Sequence, residues 1–321
     1  MTETAVKAAI AAIESESATA IEKIEMLLEM GNRLQQQPKD PEQLHQAIAL
    51  YRHAIDLSQP DYPLLRARAM AGTGTALRSI PTEGIDLLLQ AKSWYEEALP
   101  ILQEYAEPVE IAEAEMNLGL ALQALVPAGK ARIADSIQAY QRALRAFAPD
   151  TYPQEYAILQ NNIAIAYLSV PLSGGDISQG MAVQTFEQAL QWINPIDHPS
   201  EYAMLQNNLG NALQYLPSTH PVENNWRAIE AYDAALKIRT ARDTPIEYAN
   251  TIANKANALS NLPDDLEHPE ILNRHHLQQA LDYYWEAKEI FWQHGCYEQA
   301  ETVARALGEI DRELNTEITH Q

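Results

Sequence analysis

A helix-length stretch closed at both ends by proline recurs five times in this chain, and that recurrence limits the fold more than any other feature. Its clearest copy is Pro199-Ser-Glu-Tyr-Ala-Met-Leu-Gln-Asn-Asn-Leu-Gly-Asn-Ala-Leu-Gln-Tyr-Leu-Pro217, and the other frames are Pro63–Pro81, Pro108–Pro127, Pro153–Pro171 and Pro245–Pro263. Successive starting prolines lie 45, 45, 46 and 46 residues apart. A fixed period in this range marks stacked supersecondary units, each packed only on its neighbours. Proline at the first helical position loses no hydrogen bond, because that N–H would be an orphan in any case. Glu110, Glu155, Glu201 and Glu247 follow in the first turn, where the helix dipole favours a carboxylate. Thr244 and Glu247 have the spacing of a capping box. The closing proline disfavours α geometry in the residue before it, so each helix should run roughly 16–18 residues, about 25 Å.

A second helical signature follows each frame, with a small residue, an aromatic and an alanine at i, i+4 and i+7. Its copies are Ala47/Tyr51/Ala54, Ala91/Tyr95/Ala98, Ser136/Tyr140/Ala143, Ala182/Phe186/Ala189, Ala228/Tyr232/Ala235 and Ala280/Tyr284/Ala287. Alanine closes all six, as expected at close helix crossings where a larger side chain would overpack. An earlier stretch, Thr19–Gln37, has Ile21, Ile24, Leu27, Leu28 and Leu34 at helical spacing and supplies a first helix without its leading proline.

Leu209-Gly210-Asn211-Ala212-Leu213, followed by Ala228, Tyr232, Ala235 and Leu236, resembles the tetratricopeptide repeat. The resemblance spans about residues 19–295 and is strongest at Leu118-Gly119 and Leu209-Gly210; Ala164 and Ala256 stand where glycine would be. The 45–46-residue period departs from the family's 34 and also suits HEAT-type repeats, which stay open as a fold alternative. The expectation is an all-α, α-α superhelix: a tetratricopeptide-like solenoid of about six helix pairs with a C-terminal capping helix. Its parts would be a lead-in helix or disordered segment at 1–18, the repeat array at 19–295, the cap at 296–314 and a disordered tail at 315–321.

Net charge is −22, which opposes contact with phosphate backbones or anionic lipid and favours a basic protein partner. No apolar run is long enough to span a membrane, and Met1-Thr-Glu-Thr-Ala-Val-Lys7 does not read as a signal peptide, so a cytoplasmic protein is expected. Cys296 is the single cysteine, which removes internal disulfides and multi-cysteine zinc sites.

Candidate sites follow the same period. Asn117, Asn162, Asn208 and Asn254 are spaced 45, 46 and 46 residues apart. A column of amides offers two donors and an acceptor at each step, so it can bind an extended backbone; alternatively, each asparagine bonds a neighbouring helix. The arrangement is similar to the asparagine ladder of some tetratricopeptide superhelices. The same resemblance implies an inner face made by Met116, Leu120, Gln123, Ile158, Asn161, Ile165, Leu168, Met204, Asn207, Asn211, Gln214, Asn250, Asn257 and Ser260. Arg68 and Arg78 would add positive charge at its N-terminal end. The lysines with which family members hold acidic chaperone tails are missing beside Asn207, Asn211 and Asn257. His268, His275 and His276 lack metal-ligand spacing and read as a solvated loop, and Leu172–Gly180 reads as a mobile glycine-rich connection. Trp94, Trp192, Trp226, Trp285 and Trp292 read as fillers between repeats, Trp226 with part of its ring exposed.

These features imply a non-enzymatic scaffold, adaptor or assembly factor, without cofactor or metal, that holds an extended or helical segment of a partner protein in its groove. The rival expectation is an accessory subunit of an enzyme complex docking through its convex face. An end helix also offers a route to pairing with a second copy.

Overall fold

The computed structural model describes residues 8, 10–13, 17–58, 60–81, 84–170, 175–217, 220–264 and 273–316. Among these residues the fold is all-α, with helices packing in successive pairs and no strand. The chain packs as two units, Met1–Ala148 and Pro149–Gln321, each with its own apolar core.

In the first unit the helices are α1 (Ala20–Gln36), α2 (Pro41–Leu57), α3 (Pro63–Ser79), α4 (Asp86–Tyr105), α5 (Pro108–Leu125) and α6 (Ile133–Ala143). In the second they are α7 (Pro153–Leu168), α8 (Gly175–Leu190), α9 (Pro199–Gln214), α10 (Pro221–Leu236), α11 (Pro245–Ser260), α12 (Arg274–Gln293) and α13 (Tyr297–Thr316). All five proline frames start a helix at the proline itself. Pro41 and Pro221 do the same for second helices.

Caps are distributed differently from the sequence expectation. The capping box forms at Thr19–Glu22, where Thr19 Oγ1 accepts from the Glu22 N–H and Glu22 accepts from the Thr19 N–H at 2.7 Å. Thr244 makes no side-chain cap; its hydroxyl is turned back to the Thr240 carbonyl and accepts the Thr240 N–H. A tight turn has captured that side chain before the helix begins.

The small–aromatic–alanine triplets are the core of each pair. All six closing alanines are fully buried, as are five of the six aromatics, and Tyr284 is nearly so. The aromatic ring lies against the first helix where that helix has its glycine. A Cβ built on Gly31, Gly74, Gly119 or Gly210 would fall 2.5–2.9 Å from Tyr51, Tyr95, Tyr140 or Tyr232 respectively. Glycine at these points is a requirement of close approach, since no side chain fits between backbone and ring.

Within each unit the first helices of neighbouring pairs touch directly, α1 on α3 and α3 on α5, then α7 on α9 and α9 on α11. Among the described residues, second helices of neighbouring pairs make no comparable contact. The first helices therefore form the more closely spaced layer of each unit.

Three expectations are corrected. Trp192, Trp285 and Trp292 are 53–59 % exposed and do not fill the space between repeats, whereas Trp94 packs against the core of the first unit and the partly exposed Trp226 meets His276 of α12 edge-on at 5.7 Å between ring centroids. His275 and His276 open α12, and their N–H groups are capped by the Asp264 carboxylate at 2.6 and 3.0 Å. Gly175–Gly180 belong to α8, and Asn315 and Thr316 to α13. His268, Leu172 to Gly174, most of residues 1–18 and residues 317–321 lie outside the described residues.

Candidate functional site

The phenol of each core tyrosine passes beside the glycine and reaches the inner surface of the first helix. Tyr51 donates to Asn32 Oδ1 at 2.7 Å and Gln35 Oε1 at 3.1 Å, and Tyr140 donates to Gln123 Oε1 at 2.8 Å. The hydroxyls of Tyr95 and Thr75 share a 2.8 Å bond. Tyr232 donates to Asn211 Oδ1 at 2.7 Å and accepts from Gln214 Nε2. The receiving residues stand one or four positions after the glycine, the exposed side of the helix turn that seats the ring. In the pair whose aromatic is Phe186, the corresponding positions are Ile165 and Leu168, both apolar. The polarity of the inner face therefore follows the presence or absence of a phenol behind it. Burial raises the pKa of Tyr51, Tyr95, Tyr140 and Tyr232, so each phenol remains a donor.

In the first unit, Asn117 lines a cavity of about 370 Å³ with Asn32, Gln35, Arg68, Thr75, Tyr95, Glu110 and Glu113. Asn117 Nδ2 donates to the Glu113 carbonyl at 2.9 Å, and Asn117 Oδ1 accepts from Arg78 at 3.2 Å. Arg68 is held by both oxygens of Glu110, at 2.7 and 3.0 Å, so it brings no net positive charge to this wall. On another face, Glu115 is buried and paired with Arg142 through two 2.7 Å bonds. The signal for that pair was a carboxylate set on an otherwise apolar stripe with Ala112, Leu118 and Leu122.

In the second unit, the remaining asparagines join a side-chain relay across three first helices. Asn254 Nδ2 donates to Asn207 Oδ1 at 3.3 Å, and Asn207 Nδ2 donates to Asn208 Oδ1 at 3.0 Å. Asn208 Nδ2 continues to Asn161 Oδ1 at 2.7 Å, and Asn161 Nδ2 reaches Asn162 Oδ1 at 3.4 Å. Asn161 and Asn207 are buried, whereas Asn162, Asn208 and Asn254 are half-buried. A relay bond uses one of the two N–H groups of each amide, so the half-buried members keep a second donor. A parallel chain runs from Asn257 Nδ2 to Gln214 Oε1 at 2.8 Å and from Gln214 Nε2 to the Asn254 carbonyl at 3.3 Å. Ile165, Leu168 and Met204 rest against the core, leaving Ile158 as the exposed apolar side chain of that group.

The layer of first helices opens at its last member. Among the described residues, α11 and α13 make no contact comparable to those joining α7, α9 and α11. Between them lies a cleft of about 530 Å³. One wall is the α11 face carrying Asn250, Ala253, Asn254 and Asn257, and the other is the α13 face carrying Glu298, Gln299, Thr302, Val303 and Ala306. Tyr284 and Phe291 of α12 form the floor, and Tyr215 stands at the edge. Sequence reasoning found Asn250, Asn254 and Asn257 but missed Glu298, Gln299 and Thr302, because α13 was read as a cap. Tyr284 has a pKa pushed up to about 12 by burial, with further contributions from Tyr215 and the negative charge of Glu309. A volume of this size matches small-ligand and short-peptide clefts.

Among the described residues, no cluster of three or more His, Cys, Asp or Glu side chains is placed to hold a metal, and no helix is long and apolar enough to cross a membrane. Cys296 is a free, half-buried thiol packed against the core.

No protein-family model and no curated protein matches this sequence. Among solved structures, the chain is similar to the Rap conjugation gene regulator of plasmid pLS20, solved in complex with the Phr* peptide, at 16% identity and a TM-score of 0.48, covering 92% of this chain and 76% of that one. It is also similar to a Rap protein complexed with competence and sporulation factor, at 15% identity and a TM-score of 0.42, covering 91% of this chain and 99% of that one.

Proposed function

We propose that this protein is a non-enzymatic binding protein that holds an extended or helical segment of a partner protein against its first-helix layer, as a scaffold, adaptor or assembly factor. The observation that carries this reading is the cleft between α11 and α13, where apolar surface and unspent amide groups face the same space. A partner backbone placed there finds acceptors and donors for its peptide groups, while its side chains find Ala253 and Ala306 above the buried Phe291 and Val303. Asn162, Asn208, Asn254, Asn211 and Gln214 extend the amide surface along the same layer of the second unit. Asn117 is the corresponding contact of the first unit.

The test must avoid amides that hold the fold. Asn250 and Gln299 are exposed on opposite walls of the cleft. Asn250→Ala with Gln299→Ala, compared with wild type in capture from native cell extract, should lose a partner while circular dichroism and melting stay unchanged. Equal retention of every partner by both proteins overturns the cleft as the docking site.

One observation favours the rival reading of an accessory subunit that docks through the outer side. Trp285 and Trp292 share one stripe of α12 at i and i+7, 53 % and 59 % exposed, with Tyr297 in edge contact with Trp292 at 5.1 Å between ring centroids. Exposed tryptophan and tyrosine are favoured anchors of protein interfaces. Trp285→Ala with Trp292→Ala serves as the opposing arm of the same capture experiment, and a partner lost only there assigns docking to the outer side.

A further inference from the structure

The cleft has a sign, and the Glu298 carboxylate sets it. The NH2 groups of Asn254 and Asn257 are directed to Asn207 and Gln214, outside the cleft lining. Their side-chain oxygens accept from none of the described residues, whereas their main-chain carbonyls are already bonded. Glu298 contributes the only formal charge among the lining side chains, and its carboxylate has no cationic partner among the described residues. The Thr302 hydroxyl donates to the Glu298 main-chain carbonyl at 2.9 Å and is thereby spent as a donor. Arg305, outside the cleft lining, donates to Thr302 Oγ1 at 3.4 Å. Glu298 and the two unpaired amide oxygens therefore give this cleft a negative side, in a chain whose net charge is −22.

We propose, resting on the binding function argued above, that this cleft selects a short peptide segment carrying a cationic group beside an aliphatic side chain. The ammonium or guanidinium sits on Glu298 and the side-chain oxygens of Asn254 and Asn257, and the aliphatic group sits on Ala253 and Ala306 above the buried Phe291 and Val303. Length limits the segment as well. From Asn250 to Asn257 the α11 wall runs about 10 Å at 1.5 Å per residue, the span of roughly three extended residues at 3.3–3.6 Å each. The cation can come from a lysine or arginine side chain or from a free α-amino group, since Glu298 and two carbonyls satisfy either.

The probe is a set of fluorescein-labelled tetrapeptide amide pools with one position fixed as Arg, Lys, Leu or Glu, each prepared with a free and with an acetylated N-terminus and labelled on a C-terminal cysteine. Binding is read by fluorescence polarisation. Arg- and Lys-fixed pools should bind wild type about tenfold or more tighter than Glu-fixed pools, the scale of one charge-assisted hydrogen bond. Glu298→Gln should reduce that preference to less than about threefold, and Arg305→Ala should preserve it. A preference confined to free-amine pools identifies the α-amino group, and one shared by acetylated pools identifies the side chain. Equal or tighter binding of Glu-fixed pools, a preference that survives Glu298→Gln, or no binding by any pool overturns the proposal. The wider binding function falls separately, only if native partners also ignore the Asn250/Gln299 variant.

Discussion

Gly210→Ala adds one methyl group to a buried helix and tests the seat on which the tyrosine-to-amide connection depends. The new Cβ would lie 2.5 Å from Tyr232 Cε1 and 2.7 Å from Cζ, so the ring must move by several tenths of an ångström at least. Tyr232 is fully buried and its hydroxyl is fixed by Asn211 and Gln214, so the shift disturbs two hydrogen bonds as well as packing. Alanine regains about 1 kcal/mol of helix propensity over glycine. Against that stand about 1–3 kcal/mol of overpacking and about 1 kcal/mol for each weakened hydrogen bond. The net expectation is a loss of about 2–4 kcal/mol, a fall in Tm of roughly 4–16 °C. The decisive readout is a double-mutant cycle with Tyr232→Phe, followed by urea denaturation monitored by circular dichroism. Without its hydroxyl the ring is free to retreat, so Gly210→Ala should cost at most about 1 kcal/mol in that background, a coupling well outside the ~0.5 kcal/mol of independent sites. Two pairs in this chain already have that form: Ala164 stands opposite Phe186, and Ala256 opposite Tyr284, whose hydroxyl makes no hydrogen bond among the described residues. Additive effects, or a Gly210→Ala protein as stable as wild type, would refute the close-approach argument.

Asn208→Ala removes the centre of the amide relay and strands the Asn161 carbonyl and the Asn207 NH2 group, both on buried residues. Chemical denaturation should show a loss of about 2–3 kcal/mol, while a loss below about 0.5 kcal/mol would mean that the relay contributes little to holding α7, α9 and α11 together. Asp264 is subject to opposing influences: partial burial raises its pKa, but the His275 and His276 N–H groups, with the two imidazoles behind them, outweigh this and lower it. A carboxylate with a depressed folded-state pKa contributes stability that is full above its unfolded value, near pH 4, and is lost as pH falls through the folded one. Melting curves of wild type and Asp264→Asn should therefore differ most above about pH 5, begin to approach each other near pH 4 and converge only below the depressed folded-state value. A constant difference across that range would remove Asp264 as the charged cap of α12.

The repeat was legible in the sequence because its determinants are local. Proline at the first helical position, the 45–46-residue period and the small–aromatic–alanine triplet fix where helices start, how long they run and which stripe they bury, whatever lies across the interface. The asparagines at 162, 208 and 254 were found for the same reason, as residues in register. Their bonds were not legible, because an amide satisfies a neighbouring helix and a bound backbone equally well, and only its partner atoms distinguish the two. Nor did the sequence indicate that the tyrosines reach the inner face. A ring at i+4 of a buried stripe reads as packing, and its hydroxyl emerges on the far side only because the facing glycine leaves room. Trp192, Trp285 and Trp292 misled for the opposite reason: composition favours burial of so large a ring, but these three are more than half exposed.

Sequence alone thus determined the helices, their order and the buried stripe of each, since these follow from periodicities of a few residues along one chain. Tertiary structure alone decided that the first-helix layer opens between α11 and α13, and that amide carbonyls and Glu298 face the opening. Those facts depend on side chains more than forty residues apart meeting in one small volume, and no local pattern encodes such a meeting.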